Sequence, residues 1–209
     1  DLERLFVTNA SGKFEFNGGI LSVGNCTVSN GQPFRVGNGV SEATLALLGK
    51  RLHSLAGGLT VYSNAALTGN GAVSGTLTAL SGSQFSPGLS VGKIVLSNSP
   101  VLQGATIMEI SKNGAALTND QIQVAALTFG GALIVTNLGP SPLGAGDRFP
   151  LFSAPAFADT FSSIILPPIP PGLLWTNKLA FDGSLEVAAP LVQPVALTIQ
   201  RSNNFLVVS

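Results

Sequence analysis

Between Ser81 and Ser97 the chain reads SGSQFSPGLSVGKIVLS. Inside it GLSVG, Gly88 to Gly92, matches the G-x-S-x-G pattern that sets a nucleophilic serine on a sharp turn between a strand and a helix. The competing reading is a corner between two strands. Pro87 stands before the motif, and Lys93-Ile94-Val95-Leu96 after it is β-branched and strand-like. The one histidine, His53, lies far upstream beside Lys50 and Arg51, which marks it as a surface residue rather than a partner for Ser90. The stretch is therefore read as a Pro-Gly corner feeding a strand, and no catalytic residue is assigned.

Outward from this point the same grammar fills the chain. Apolar residues alternate with period two in short segments: Phe14 and Phe16, Leu59 and Val61, Ile94 and Leu96, Ile122 and Val124, Leu133 and Val135, Leu185 and Val187. Turn pairs punctuate them. Asn-Gly occurs at Asn17-Gly18, Asn30-Gly31, Asn38-Gly39, Asn70-Gly71 and Asn113-Gly114, and both residue types tolerate positive φ. Only Ser41 to Leu55 has a competing helical spacing, through Leu45, Leu48 and Leu52, with Gly49 interrupting it.

Composition limits the function classes. Of 209 residues only 10% are charged, against about 25% in an ordinary globular domain. Ten basic and ten acidic residues cancel, so no basic face invites nucleic acid. No apolar run approaches the roughly 18 residues of a spanning helix, so no membrane insertion is expected. A single cysteine, Cys26, excludes an intrachain disulfide and a cysteine-based metal site, and is read as a small buried residue. The chain opens at Asp1 without a charged and apolar leader, which suggests a processed or partial chain with an export signal upstream.

Internal similarity points to a coiled architecture. GGILSVGN (Gly18 to Asn25), GGLTVYSN (Gly57 to Asn64) and GGALIVTN (Gly130 to Asn137) share a Gly-Gly start, an apolar alternation and a polar corner. A repeat of about 20 to 25 residues with short strands suits a β-solenoid, whose coils bury their apolar faces only by stacking. From Lys93 onward proline and phenylalanine become frequent, ending in Trp175 and Phe181. The expected fold is all-β. A short β-solenoid over residues 1–92 leads into an antiparallel β-sandwich-like domain over 93–189. A linker and a terminal strand or hairpin follow over 190–209.

Gly69-Asn70-Gly71 and Phe85-Ser86-Pro87-Gly88, set between Gly-Gly-x-Leu-x-Val-like segments, resemble bacterial autotransporter-associated β-strand repeat proteins. The later stretch from Leu117 to Gly139, with LGAGDRFPLFSAPAF and LLWTNKLAFDGSLEV, is similar to the region that follows such repeats in secreted surface proteins. The resemblance covers about Asn17 to Val187. It implies a right-handed β-solenoid, export, and an extracellular or cell-surface role, and it does not imply an enzyme.

The chemistry-bearing residues agree with a non-catalytic reading. The ten acids are scattered, and one tryptophan and one tyrosine offer few platforms for sugars. Asn119-Asp120 and Asp182-Gly183 admit a calcium-turn reading, against which side-chain capping of the turn is preferred. No cofactor or metal is expected. Asn9 and Asn25 begin the sequons Asn-Ala-Ser and Asn-Cys-Thr and are the glycosylation candidates. The tail VALTIQRSNNFLVVS has hairpin form, and Val195, Leu197, Ile199, Phe205 and Val207 are the candidate assembly residues. The expected function is a structural subunit of an extracellular bacterial surface structure that joins head to tail with copies of itself into a filament. An adhesin-like binding module, with surface glycans as partners, and a polysaccharide-acting β-solenoid enzyme are the alternatives.

Overall fold

The computed structural model describes residues 1–190 and the backbone of Ile199–Ser202 and Phe205–Val208. It is all-β apart from one four-residue helix. The chain begins with β1 (Leu2–Val7), β2 (Gly19–Val28) and β3 (Phe34–Val36). Two regular passes follow: β4 (Ala43–Leu47), β5 (Leu52–Leu55) and β6 (Leu59–Val61), then β7 (Ala65–Gly69), β8 (Gly71–Ser74) and β9 (Leu77–Ala79). A third comprises β10 (Gln84–Pro87), β11 (Lys93–Leu96) and β12 (Val101–Leu102).

Pairing is parallel from one pass to the next. One ladder runs through Leu21, Leu45, Leu67 and Phe85. A second links Val73 to Leu96, and a third links Phe34, Leu59 and Leu77. Because side chains alternate across a strand, every second residue in each pass joins one interior stack. Leu45, Leu67, Phe85, Leu59, Leu77 and Val73 are fully or almost fully buried there. Each such side chain contributes about 1.5–3 kcal/mol of apolar burial. The long strand β2 turns from the first ladder into the second, which is why both count as one sheet of 14 strands.

The segment with helical spacing forms β4 and β5 instead of a helix. Both corners picked out in the sequence are turns at positive φ: Gly71 at 111° and Gly88 at 87°.

Parallel pairing does not stop at Lys93. It continues through β13 (Ala105–Asn113), β15 (Gln121–Val124), β16 (Leu127–Thr128), β17 (Ala132–Asn137), β19 (Phe152–Ser153), β20 (Phe157–Ala158) and β21 (Ser163–Ile165). Between these lie β14 (Ala116–Asn119), a hairpin partner of β13, and β18 (Arg148–Pro150). The change in composition marks longer passes rather than a change of pairing at that residue. Phe85 pairs with Thr106, 21 residues on, whereas Ile122 pairs with Phe152, 30 residues on. The extra length holds the β13–β14 hairpin and the loop from Leu138 to Asp147, and proline is tolerated in such excursions.

An antiparallel sheet does occur, but it is small and late. β18 pairs with β23 (Ser184–Ala188), which pairs with β22 (Leu174–Lys178). The single helix among the described residues, α1 (Leu179–Asp182), joins β22 to β23 and ends at Gly183 in the left-handed conformation. The phenylalanines close the interior stack on this side. Phe129 lies 5.2 Å from Phe152, 5.6 Å from Phe157 and 4.8 Å from Phe161 between ring centroids. A Lys112–Asp147 ion pair at 2.8 Å, largely shielded from solvent, ties β13 to the loop before β18. Last, β24 (Ile199–Ser202) and β25 (Phe205–Val208) pair antiparallel with each other.

Candidate functional site

The residues with chemical potential are dispersed by the fold. Ser90 is exposed on a bend, and β11 follows it where a nucleophile elbow requires a helix. His53 is not the surface residue expected from its basic neighbours. It sits on β5 with no exposed area, and its two ring nitrogens have no hydrogen-bond partner among the described residues. Period-two alternation explains this: Leu52 points outward, 54% exposed, and His53 and Leu55 point inward. Burial lowers the pKa of the imidazole, so it enters the interior neutral. A buried donor and acceptor without partners costs about 1–3 kcal/mol each. Among the described residues, the one histidine is therefore enclosed in the interior while Ser90 is exposed.

Three acids are tied down locally. Asp182 accepts from the Ser184 backbone and hydroxyl and pairs with Arg148 at 3.0 Å; the Ser184 hydroxyl first, and then Arg148, hold its carboxyl below the usual range. Glu186 pairs with Lys178 across β22 and β23. Asp147 accepts from Lys112 and from the Gly144 backbone.

Asp120 is the exception in charge balance. It is fully buried, with no basic residue among its partners. Its Oδ1 accepts the Gly92 N–H and its Oδ2 accepts the Glu109 N–H, both at 2.7 Å. Burial pushes its carboxyl up to about 7; the two backbone donors oppose that rise and the Glu109 charge adds to it. The Asn119 amide donates to the Asp120 carbonyl and to the Pro150 carbonyl at 2.9 Å. Side chains at this corner thus stitch successive passes together. Asn25 does the same to Leu52, and Asn70 accepts from the Lys93 N–H. The corner has the geometry of side-chain capping. Among the described residues, no three His, Cys, Asp or Glu side chains gather as a metal cage.

An open groove of about 720 Å³ runs over this corner, lined by Lys50, Asn70, Lys93, Asn119 and Gln121 among others. No aromatic ring lines it. Such a groove can hydrogen-bond a polar chain but offers no stacking platform for a sugar ring.

Of the glycosylation candidates, Asn9 is exposed and its side chain accepts the Ser11 N–H. Asn25 is half-buried and its amide is engaged with Leu52. Among the assembly candidates, Val195 and Leu197 lie outside the described residues. Ile199 pairs with Val208, Val207 with Gln200, and Phe205 with Ser202. Among the described residues no helix is long and apolar enough to cross a membrane.

No family model matches the chain, and neither a curated protein nor a solved structure matches it.

Proposed function

We propose that the chain is a β-solenoid of the autotransporter-associated repeat type, working as a non-catalytic structural subunit of an extracellular bacterial surface fibre whose copies join head to tail. The observation that carries this reading is the pattern of sheet edges. At one end β1 pairs with β2 alone, and at the other β21 pairs with β17 alone. Each leaves a row of backbone N–H and C=O groups on its outer side, a template for another strand. Exposed Leu2, Phe6 and Ile20 accompany the first edge. The β24–β25 hairpin pairs with no third strand among the described residues, and two strands alone are marginal in water. Added to a neighbour's sheet, that segment completes a contact that is heterologous and propagates unless its rotation closes. Zero net charge removes the electrostatic obstacle to such stacking.

The scattered acids and the solitary Ser90 support a non-catalytic role over a polysaccharide-acting enzyme. The test is deletion of Pro194 to Ser209. Negative-stain images and light scattering should show filaments for the intact chain and monomers for the shortened one. Filaments of unchanged symmetry after deletion, or a strict monomer for the intact chain at high concentration, would sink the strand-donation reading.

A further inference from the structure

Two interior residues of the first passes are chemically unlike everything stacked around them. In the pairing of β2 with β5, Thr27 stands beside Ser54 and Val28 beside Leu55. Cys26 and His53 stand one residue before this paired stretch on their two strands, so extending the register by one step sets them side by side. The Asn25 amide, donating at 2.8 Å to the Leu52 carbonyl, holds that register at the next position. Cys26 and His53 both belong to the inward set of their strands, and neither has exposed area. Leu5 pairs with Cys26 on one side, and Val73 pairs with His53 on the other. The two therefore form a soft, polarisable rung inside an otherwise apolar stack. The His53 nitrogens have no hydrogen-bond partner among the described residues, the Cys26 sulfur included.

Against the expectation drawn from a single cysteine, we propose that Cys26 and His53 together form an interior two-ligand site for one soft monovalent cation, copper(I) or its redox-inert counterpart silver(I). Distance allows it. Neighbouring strands lie about 4.8 Å apart. An ion held at about 2.3 Å from sulfur and about 2.0 Å from nitrogen separates its two donors by about 4.3 Å. That is too long for a good hydrogen bond and well suited to a bridging ion.

Charge selects the ion. A thiolate, a neutral imidazole and a monovalent cation sum to zero, which an apolar stack accepts. A divalent ion leaves one net positive charge there, and the buried carboxylates, Asp120 and Asp147, belong to later passes. Thiolate softness then favours copper(I) over hard monovalent ions.

The binding step is a simple exchange. The Cys26 thiol releases its proton to solvent as the cation arrives, forming the metal–sulfur bond. His53 gives the lone pair of one nitrogen and keeps the proton on the other. No electron is transferred. Access runs past β1, whose residues Leu2, Glu3, Arg4 and Phe6 are exposed and which is held by one neighbouring strand only. Fraying of such a terminal strand uncovers Cys26 without unfolding the remaining passes.

Silver(I) is the probe, applied to the full chain after chelator washing. Native mass spectrometry should show one silver per chain with loss of one proton. Thermal unfolding should move upward on silver addition. Cys26→Ala and His53→Leu are the variants. His53→Leu removes two unpartnered ring nitrogens without adding bulk and should unfold without silver at or above the wild-type temperature, whereas Cys26→Ala leaves a small cavity and should unfold somewhat below it. Both should lose the silver-dependent rise, and His53→Leu should weaken retention at least tenfold. X-ray absorption on the copper(I) form should give one sulfur and one nitrogen neighbour. No silver uptake by the wild type, retention by His53→Leu equal to wild type, or a shell of sulfur alone each overturns the site.

Discussion

Asp120 should make the protein lose stability as pH rises from acid to neutral, and Asp120→Asn should abolish that dependence. The structural basis is a fully buried carboxyl whose two oxygens meet backbone N–H groups and no cation. Burial lifts its pKa from 3.8 to about 7. Between those values the folded chain retains a proton that the unfolded chain has released. Stability therefore declines as pH climbs through that window and levels off above it. At about 1.4 kcal/mol per pKa unit the window corresponds to an upper limit of about 4 kcal/mol. Relaxation and water penetration soften the penalty on a buried charge, so about 2 kcal/mol is the expected size. The asparagine variant is neutral throughout but accepts through one oxygen only. Its NH₂ then faces the N–H of Gly92 or Glu109, at a pH-independent cost of about 1–3 kcal/mol. Wild type should lead the variant near pH 4, and the lead should shrink by about 2 kcal/mol by about pH 8. Urea unfolding followed by Trp175 fluorescence suits the measurement, since its indole donates to the Pro167 carbonyl at 3.0 Å and is half-buried. Circular dichroism in parallel reports the strands. A difference between the two proteins that stays constant, or widens toward alkaline pH, refutes the reasoning.

Three further substitutions probe the stacking. At Gly71, φ is 111° and an added Cβ lies 2.5 Å from the Arg51 carbonyl oxygen of the preceding pass. Gly71→Ala should cost more than about 3 kcal/mol, because only separation of two passes relieves the contact. Gly49→Ala, also at positive φ but in open space, should cost about 1–2 kcal/mol; equal losses in denaturant midpoints would contradict the close-approach argument. Phe129→Ala should destabilise by about 3–5 kcal/mol, since the ring is buried against three others. A thermal midpoint within a degree or so of wild type would mean that the aromatic cluster does not close the stack.

The strands and corners were legible because they rest on local chemistry. Period-two alternation, Asn-Gly pairs and the Pro87-Gly88 corner each act within a few residues, and no helix intrudes where Leu45, Leu48 and Leu52 suggested one. The break placed at Lys93 was not legible in the same way. Proline and phenylalanine mark excursions and end closure as readily as a second domain, and only the register separates the cases. The internal repeats mislead for a related reason. GGILSVGN and GGALIVTN contribute β2 and β17, in the 14-stranded sheet, whereas GGLTVYSN contributes β6, in the four-stranded one. A Gly-Gly start followed by alternation identifies a corner of a pass, and each pass has several corners. Sequence similarity of this kind counts corners, not passes.

His53 shows where a stricter reading of the same signal reaches further. Lys50 and Arg51 are exposed, and proximity to them suggested an exposed imidazole. Alternation counted back from Leu55 gives the opposite phase, with Leu52 outward and His53 inward. Charge in flanking turn residues says little about a strand side chain, because successive strand residues face opposite sides of the sheet. The same count applied to β2 sets Cys26 inward, between Val28 and the outward Asn25. Which strand of a later pass stands beside it is a matter of register, set by a corner loop of variable length. Two inward residues therefore become visible in sequence as core positions, yet that β2 pairs with β5 at all emerges only from the register, Thr27 beside Ser54. Which residues of different passes come side by side is hidden from any one pass, and only the register brings it out.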